Sequence, residues 1–252
     1  NGTFRNNTVH STQLGMQISG SAVGNTVFNS ILAGMWITGN GNVASNTIYS
    51  NPVGAVVRSD NPLLSNNLVY GNETGVRVES FAAARLVNNT IYQTIGNAIV
   101  AATSGAIQIE NNILSVNTGT AIAVSSGNPT ITGDYNAFQL RSTGIIASQG
   151  GTNYSSLTTW GFLRGSDRNS FVADPLFIDF DGPDNVLGFS GGNFGADDNF
   201  RVGTLSTTLN RGNPNSVFAL EPYPNGGRID IGAFGNTSQT TSVSPEQVQI
   251  LA

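Results

Sequence analysis

The chain has 252 residues, of which 10% are charged, and its formal net charge is −5. It has no cysteine and no lysine, and all ten of its Lys+Arg residues are arginines. This composition excludes disulfides, thiolate catalysis, zinc–sulfur sites and Schiff-base lysines. An acidic chain repels phosphate backbones, and no apolar run approaches the roughly 20 residues that span a bilayer, so we expect neither a nucleic-acid partner nor membrane insertion.

A short motif that begins with Asn recurs along the first half of the chain. The copies start 18 to 23 residues apart, which is typical of a fixed structural coil that carries a loop of variable length. Clear copies begin at Asn25, Asn46, Asn67 and Asn89, and weaker copies begin at Asn7 and Asn112.

A second motif follows each Asn by eight or nine residues, as in Gly34-Met35-Trp36-Ile37 and Gly75-Val76-Arg77-Val78. Both motifs alternate apolar and variable residues, which predicts two strands per coil with one face turned inward. Stacked coils bury a continuous core that no single coil could bury alone, so the strands are parallel. The residues expected to point inward are Met35, Ile37, Val76 and Val78 on one strand and Val27, Ile48, Val69 and Ile91 on the other.

The repeated Asn is expected at the bends of the coil. Asn tolerates the left-handed backbone region, and its amide can both donate to and accept from the Asn of the next coil. The sequence therefore predicts a buried ladder of Asn side chains.

The repeats fade after Asn136. Residues 155–160 predict a short helix with a Ser N-cap, and the Ser/Thr-rich stretch from Thr237 to Pro245 is typical of a linker. We predict one β-helix domain over 1–236, with coils at 1–136 and an irregular segment at 137–236, followed by a tail at 237–252. Since the chain starts inside a coil, we expect it to be a piece of a longer protein with further domains. We also expect the protein to be a monomer.

The C-terminal half also carries a series of motifs in a characteristic order: Asp174-Pro175-Leu176-Phe177, Asp179-Phe180-Asp181-Gly182, Asp197-Asp198-Asn199-Phe200-Arg201 and Asp230-Ile231-Gly232-Ala233-Phe234. Together with the repeats, they resemble the bacterial secreted right-handed parallel β-helix proteins of the pectate-lyase-like superfamily. The resemblance implies an all-β, right-handed, single-stranded parallel β-helix with an irregular C-terminal capping segment. It also implies export or cell-surface display and work on carbohydrate.

An acidic loop is the candidate metal site. Carboxylates at such spacing suit Ca²⁺, which takes six to eight oxygen ligands. The alternative is a solvated loop whose Asp side chains cap turns. No organic cofactor is expected. The candidate ligands are Asp179, Asp181, Asp184, Asp197 and Asp198.

Phe28, Tyr49, Tyr70 and Tyr92 occupy one position in successive coils, with His10 at the head of the column. At about 4.8 Å per coil their rings can stack. If exposed, they would form a track for sugar rings, and the alternative is a stack that only stabilises the coil.

The third candidate is a patch on the other strand column, where Trp36, Arg58, Arg77 and Glu79 are expected to face outward, with Asp60 and Arg85 nearby in sequence. An Arg between a carboxylate and an aromatic ring suits an acidic sugar. An exposed ion pair on a solvated face explains the same residues.

These features leave the function open between three hypotheses. The first is a secreted or cell-surface module that binds or processes polysaccharide. The second is a polysaccharide lyase or glycoside hydrolase acting on an acidic glycan, although no catalytic residues can be named from the sequence. The third is a structural spacer or adhesion stalk.

Overall fold

The structure, a computed structural model, describes residues 2–191 and 193–243 and shows a parallel β-helix. Seven coils of three strands each stack on one another, and the strands form three long sheets. The coils contain β1 (Thr3–Arg5), β2 (Thr8–His10) and β3 (Leu14–Ile18); β4 (Ser21–Val23), β5 (Thr26–Phe28) and β6 (Ala33–Ile37); β7 (Asn42–Ala44), β8 (Thr47–Tyr49) and β9 (Val53–Val57); β10 (Leu63–Ser65), β11 (Leu68–Tyr70) and β12 (Thr74–Ser80); β13 (Ala84–Val87), β14 (Thr90–Gln93) and β15 (Asn97–Thr103); β16 (Ala106–Glu110), β17 (Ile113–Val116) and β18 (Thr120–Ser126); and β19 (Thr130–Asp134), β20 (Ala137–Leu140) and β21 (Ile145–Gln149).

We name the sheets by the strand that each coil contributes. Sheet A holds the first strand of each coil, sheet B the second and sheet C the third. Sheets B and C correspond to the two predicted strand columns. Sheet A contains the additional strand of each coil that the sequence did not reveal, since its early copies are only three residues long.

Aliphatic side chains from all three sheets fill the interior. The predicted inward residues are buried on both columns, with Met35 and Ile37 fully buried in sheet C and Val27 and Ile48 in sheet B. Sheet A adds one inward side chain from each of its short strands, such as Val43 and Leu64. Because each coil places an apolar residue directly above that of its neighbour, the interior is one continuous core.

The Asn ladder forms at the corner between sheets A and B, as predicted. The side chain of Asn46 donates to Asn67 Oδ1 at 2.9 Å, and Asn67 donates in turn to Asn89 Oδ1 at 2.9 Å. The expectation that the ladder Asn itself adopts the left-handed backbone region was wrong. Positive φ angles fall instead on the residue before each ladder Asn, as at Ser45 and Asn66. The ladder side chains are Asn7, Asn25, Asn46, Asn67, Asn89, Asn112 and Asn136.

A second amide ladder lies at the corner between sheets B and C. Asn51 Nδ2 donates to Asn72 Oδ1 at 3.1 Å, and the Asn72 backbone N–H donates to Gln93 Oε1 at 2.8 Å. These side chains are almost fully buried. Two of the three corners are therefore fixed by side-chain amides.

The last coil is followed by β22 (Thr152–Tyr154), the helix α1 (Leu157–Arg164) and β23 (Phe171–Val172), which joins sheet B. Ser156 caps α1 by accepting a hydrogen bond from the Thr159 backbone N–H, which confirms the predicted helix and its cap. Trp160 of α1 is fully buried against the coil core, so the helix closes the C-terminal end of the interior. Within the described residues, no helix has the length and apolar character to cross a membrane.

The first part of the segment predicted at 137–236 completes the last coil and, through α1, caps the stack as expected. The part that follows β23, for which we keep the name irregular segment, does not lie at that end. It turns back along the outer face of sheet B, where the Phe189 N–H donates to Ser50 Oγ and the Ala233 N–H donates to Thr90 Oγ1. Its short strands are β24 (Phe177–Asp179), β25 (Phe189–Ser190), β26 (Asn193–Phe194) and β27 (Asn199–Val202).

The packed domain also extends beyond the predicted boundary at residue 236. Thr240 Oγ1 donates to Asp230, Thr241 Oγ1 donates to the Val202 carbonyl, and Val243 is buried. The first part of the predicted tail is thus held by hydrogen bonds. The rest of that tail, 244–252, lies outside the described residues.

Candidate functional site

The patch of Trp36, Arg58, Arg77 and Glu79 forms on the outer face of sheet C. Glu79 forms ion pairs with both arginines, with Arg77 Nε 3.0 Å from Oε1 and Arg58 Nε 3.6 Å from Oε2. The Arg58 guanidinium also lies over Trp36, 4.6 Å from the ring centroid. The structure therefore joins all four predicted residues in one connected group, which we call the sheet-C patch.

Strand register explains why residues from three coils meet here. Trp36 and Arg77 share one row, with Val56 between them, and Arg77 is followed by Val100. Arg58 and Glu79 lie in the next outward-facing row. They directly follow Val57 and Val78, which pair with each other and point inward. Because the parallel strands pair without a register shift, residues that are one coil apart in the sequence come into contact.

The electrostatics of the patch are those of a weak surface network. The side chains of Arg58 and Glu79 are 45% and 28% exposed, and such exposed pairs contribute at most about 1 kcal/mol. Two guanidinium groups against one carboxylate leave a local excess of positive charge. A second carboxylate could therefore compete with Glu79 for the arginines at small cost.

Asp60 and Arg85, which lie near the patch in sequence, do not join it. Arg85 stands on sheet A and donates to Gln108 at 3.4 Å. Asp60 occupies an exposed turn with a positive φ of 63°, and its carbonyl accepts from the Ala83 N–H. The patch is limited to sheet C.

The aromatic ladder forms, but it is covered. The rings of His10, Phe28, Tyr49 and Tyr70 stack at centroid separations of 4.8 to 4.9 Å with interplanar angles of 8° to 9°. The ladder side chains are at most 4% exposed at Phe28, Tyr49, Tyr70 and Tyr92. The irregular segment supplies the cover, with the Phe200 ring centroid 4.7 Å from that of Tyr70.

Burial of the ladder changes the acidity of its hydroxyls. It raises the pKa of Tyr49 to about 12, with a further contribution from the nearby Asp198 carboxylate. Burial likewise raises the pKa of Tyr70 and of Tyr92. Tyr49, Tyr70 and Tyr92 pack between sheet B and the irregular segment, and sugar binding along them stays a prediction.

An open cleft of about 500 Å³ remains at the head of the ladder. Outward Thr side chains of sheet B and the ladder residues from His10 to Tyr70 line one side of it, and Asp198 of the irregular segment lines the other. Burial raises the pKa of Asp198, which accepts a hydrogen bond from the Gly188 N–H at 2.8 Å. Sequence reasoning missed this cleft because its two sides are far apart in the chain.

The five Asp residues of the acidic loop are partly exposed or exposed. Asp184 Oδ1 accepts from the Val186 N–H at 2.9 Å, as expected for a carboxylate that caps a turn. Within residues 2–191 and 193–243, no three His, Cys, Asp or Glu side chains gather in a group that could hold a metal ion. Calcium binding at Asp179, Asp181, Asp184, Asp197 and Asp198 stays a prediction.

Comparison with known proteins supports the architecture. The family model for the right handed beta helix region matches residues 1–155, which is more than half of the chain. No curated protein matches the chain significantly, and neither does any solved structure. The three parallel sheets and the family match indicate the same architecture. The chain therefore belongs to the right-handed β-helix family.

Proposed function

We propose that this β-helix is a module of a secreted or cell-surface protein that binds an acidic polysaccharide on the outer face of sheet C. The observation that carries the proposal is the connected group of Trp36, Arg58, Arg77 and Glu79 across three successive coils. It combines an aromatic ring with two arginines that share one carboxylate.

The geometry suits a sugar that carries a carboxylate. An Arg guanidinium pairs with carboxylates through two parallel hydrogen bonds, and the existing pairs with Glu79 are exposed and therefore weak. A uronate carboxylate could replace Glu79 on either arginine. Trp36 would then supply an apolar surface for the sugar ring beside that contact.

The surroundings of the patch suit an extended ligand. The row that contains Trp36 and Arg77 continues through Val100 and Ala123, whose small side chains keep the sheet surface flat. Successive coils repeat this surface at about 4.8 Å. A polysaccharide lying along the stack would meet equivalent positions on several coils.

Affinity electrophoresis through gels that contain neutral or acidic polysaccharides tests the proposal. We expect an acidic polymer to retard the protein and the double variant Arg58→Gln/Arg77→Gln to lose that retardation. Arg85→Gln is the control, since it removes one exposed positive charge from sheet A and leaves the sheet-C patch intact. Equal retardation of the double variant and the wild type would refute the sheet-C patch as the binding site.

The same incubations separate the enzymatic and structural hypotheses. A lyase would generate unsaturated uronates, which absorb ultraviolet light, and that signal should disappear in Arg77→Ala. A structural spacer would show neither retardation nor absorbance with any polymer. Retardation without new absorbance is the outcome that we expect.

A further inference from the structure

Three of the ten arginines line a single open cleft, of about 490 Å³, far from the sheet-C patch. Arg168 comes from the loop before β23, whereas Arg211 and Arg228 come from the irregular segment. The remaining lining residues are Asn169, Ser170 and Phe171. We call this the arginine cleft.

The cleft lies beside the corner between sheets A and B in the last coils. Ser170 Oγ accepts from the Asn136 N–H at 2.9 Å, so the Arg168 loop continues the stack where the Asn ladder ends. The Arg228 guanidinium lies over Tyr135, the residue before Asn136. One side of the cleft thus belongs to the loop that leads into β23, and the other side to the irregular segment.

Two of the arginines are held in place by neutral groups. The Arg211 guanidinium carbon lies 5.2 Å from the Phe171 ring centroid. Arg228 donates from Nε to the Gly212 carbonyl and from an Nη to the Arg211 carbonyl. These contacts fix both guanidinium groups near the cleft without neutralising their charge.

The carboxylates around the cleft bond to neutral partners, and Asp167, for example, accepts from Ser170 Oγ at 2.7 Å. Asp134 accepts from the backbone and the side chain of Asn169, at 2.6 and 2.7 Å. Glu110 accepts from the Asn213 side chain at 3.2 Å. Among the described residues, Arg168, Arg211 and Arg228 form no ion pair.

We propose that the arginine cleft binds an oxyanion, either a free ion such as phosphate or sulfate or the same group carried on a polymer. Three positive charges that line one cleft repel one another, and an anion with several oxygens would relieve that repulsion through charge-assisted hydrogen bonds. Asn169 and Ser170 line the same cleft, where Asp134 and Asp167 hold their side chains in place. The volume is within the range of ligand sites in proteins, roughly 300 to 1,000 Å³.

The proposal stands independently of the sheet-C patch, and separate variants test the two sites. Arg168→Gln/Arg211→Gln removes two charges from the cleft and leaves Arg228, whose hydrogen bonds support the segment. Arg58→Gln/Arg77→Gln leaves the cleft intact. Arg85→Gln again controls for the loss of an exposed charge.

Titration calorimetry and amide chemical shifts, recorded at low ionic strength, provide the measurement. The probes are inorganic phosphate, inorganic sulfate, a phosphorylated oligosaccharide and a sulfated heparin oligosaccharide. We expect at least one probe to shift the amide signals of Asn169 and Ser170. Binding should weaken by about tenfold for each arginine removed from the cleft, as for the loss of one charged hydrogen bond.

The set of probes distinguishes the source of the oxyanion. Binding of the inorganic ions at an affinity similar to that of the oligosaccharides would indicate a site for free anions, and much tighter binding of one oligosaccharide would indicate a polymer. If no probe shifts the Asn169 and Ser170 signals, or if Arg85→Gln weakens binding as much as Arg168→Gln/Arg211→Gln, the proposal is wrong.

Discussion

Replacing Asn67 by leucine tests how much the Asn ladder contributes to the fold. The Asn67 side chain donates to Asn89 Oδ1 at 2.9 Å and to the Val43 carbonyl at 2.8 Å. Its Oδ1 accepts from the Asn46 backbone N–H at 3.0 Å and from the Asn46 side chain at 2.9 Å. Leucine has the same branching at Cγ but makes none of these four hydrogen bonds.

The expected loss of stability follows from the groups left behind. The buried Asn46 N–H loses its acceptor, and a buried unsatisfied donor costs about 1 to 3 kcal/mol. Each of the other lost hydrogen bonds contributes about 1 kcal/mol. We therefore expect Asn67→Leu to lower the free energy of unfolding by about 4 to 6 kcal/mol.

Urea denaturation followed by circular dichroism measures this loss, and hydrogen exchange at the Asn46 amide locates it. Asn42→Leu is the matched control, because Asn42 is exposed on sheet A in the neighbouring coil. A loss below about 1 kcal/mol for Asn67→Leu, or one equal to that of Asn42→Leu, would refute the stabilising role of the ladder.

The remaining predictions concern acidity, aromatic packing and metal. Burial raises the pKa of Glu221 from 4.5 to about 7 and that of Asp230 from 3.8 to about 6, so the folded protein holds these protons more tightly than the unfolded chain. Stability should therefore fall as the pH rises from about 4 to about 7, and Glu221→Gln should remove up to roughly 3 kcal/mol of that fall in urea denaturation at pH 5 and pH 8. An unchanged difference between the two pH values would contradict the burial of an ionisable Glu221. Phe200→Ala should cost about 3 to 5 kcal/mol, because the ring is 1% exposed and covers the ladder, whereas Phe162→Ala on the 91% exposed residue should cost almost nothing. If calcium binds the acidic loop, thermal melts in calcium and in chelator should differ, with the difference reduced in Asp181→Asn/Asp184→Asn, and identical melts would remove calcium from the account.

The stacked core could be predicted because every coil repeats the same local rule. Val27, Ile48 and Val69 each follow an Asn by two residues, and the structure buries all three. Sheet A escaped prediction because a strand of three residues with one inward side chain, such as β7 around Val43, has no measurable period. The second ladder of Asn51 and Asn72 escaped because it continues as Gln93, which breaks the pattern of identical residues.

The two candidate surfaces show where sequence reasoning ends. The sheet-C patch could be predicted, since Arg58 and Glu79 are one coil apart and parallel register brings such residues together. The cover over Tyr49 and Tyr70 could not, because Phe200 reaches them from a segment without repeats. The arginine cleft depends on the same long-range packing, which carries Arg211 and Arg228 back to the last coils.

Fluorescence of Trp36 is the most direct test of the proposed polysaccharide site. The chain has two tryptophans, and Trp160 is fully buried, so a ligand on sheet C should change the emission of Trp36 alone. We predict a saturable change in emission, and protection from a soluble quencher, when an acidic polysaccharide is added, both lost in Trp36→Phe and in Arg58→Gln/Arg77→Gln. A polymer that retards the protein in affinity electrophoresis but leaves Trp36 emission and quenching unchanged would place its binding site elsewhere and contradict the account.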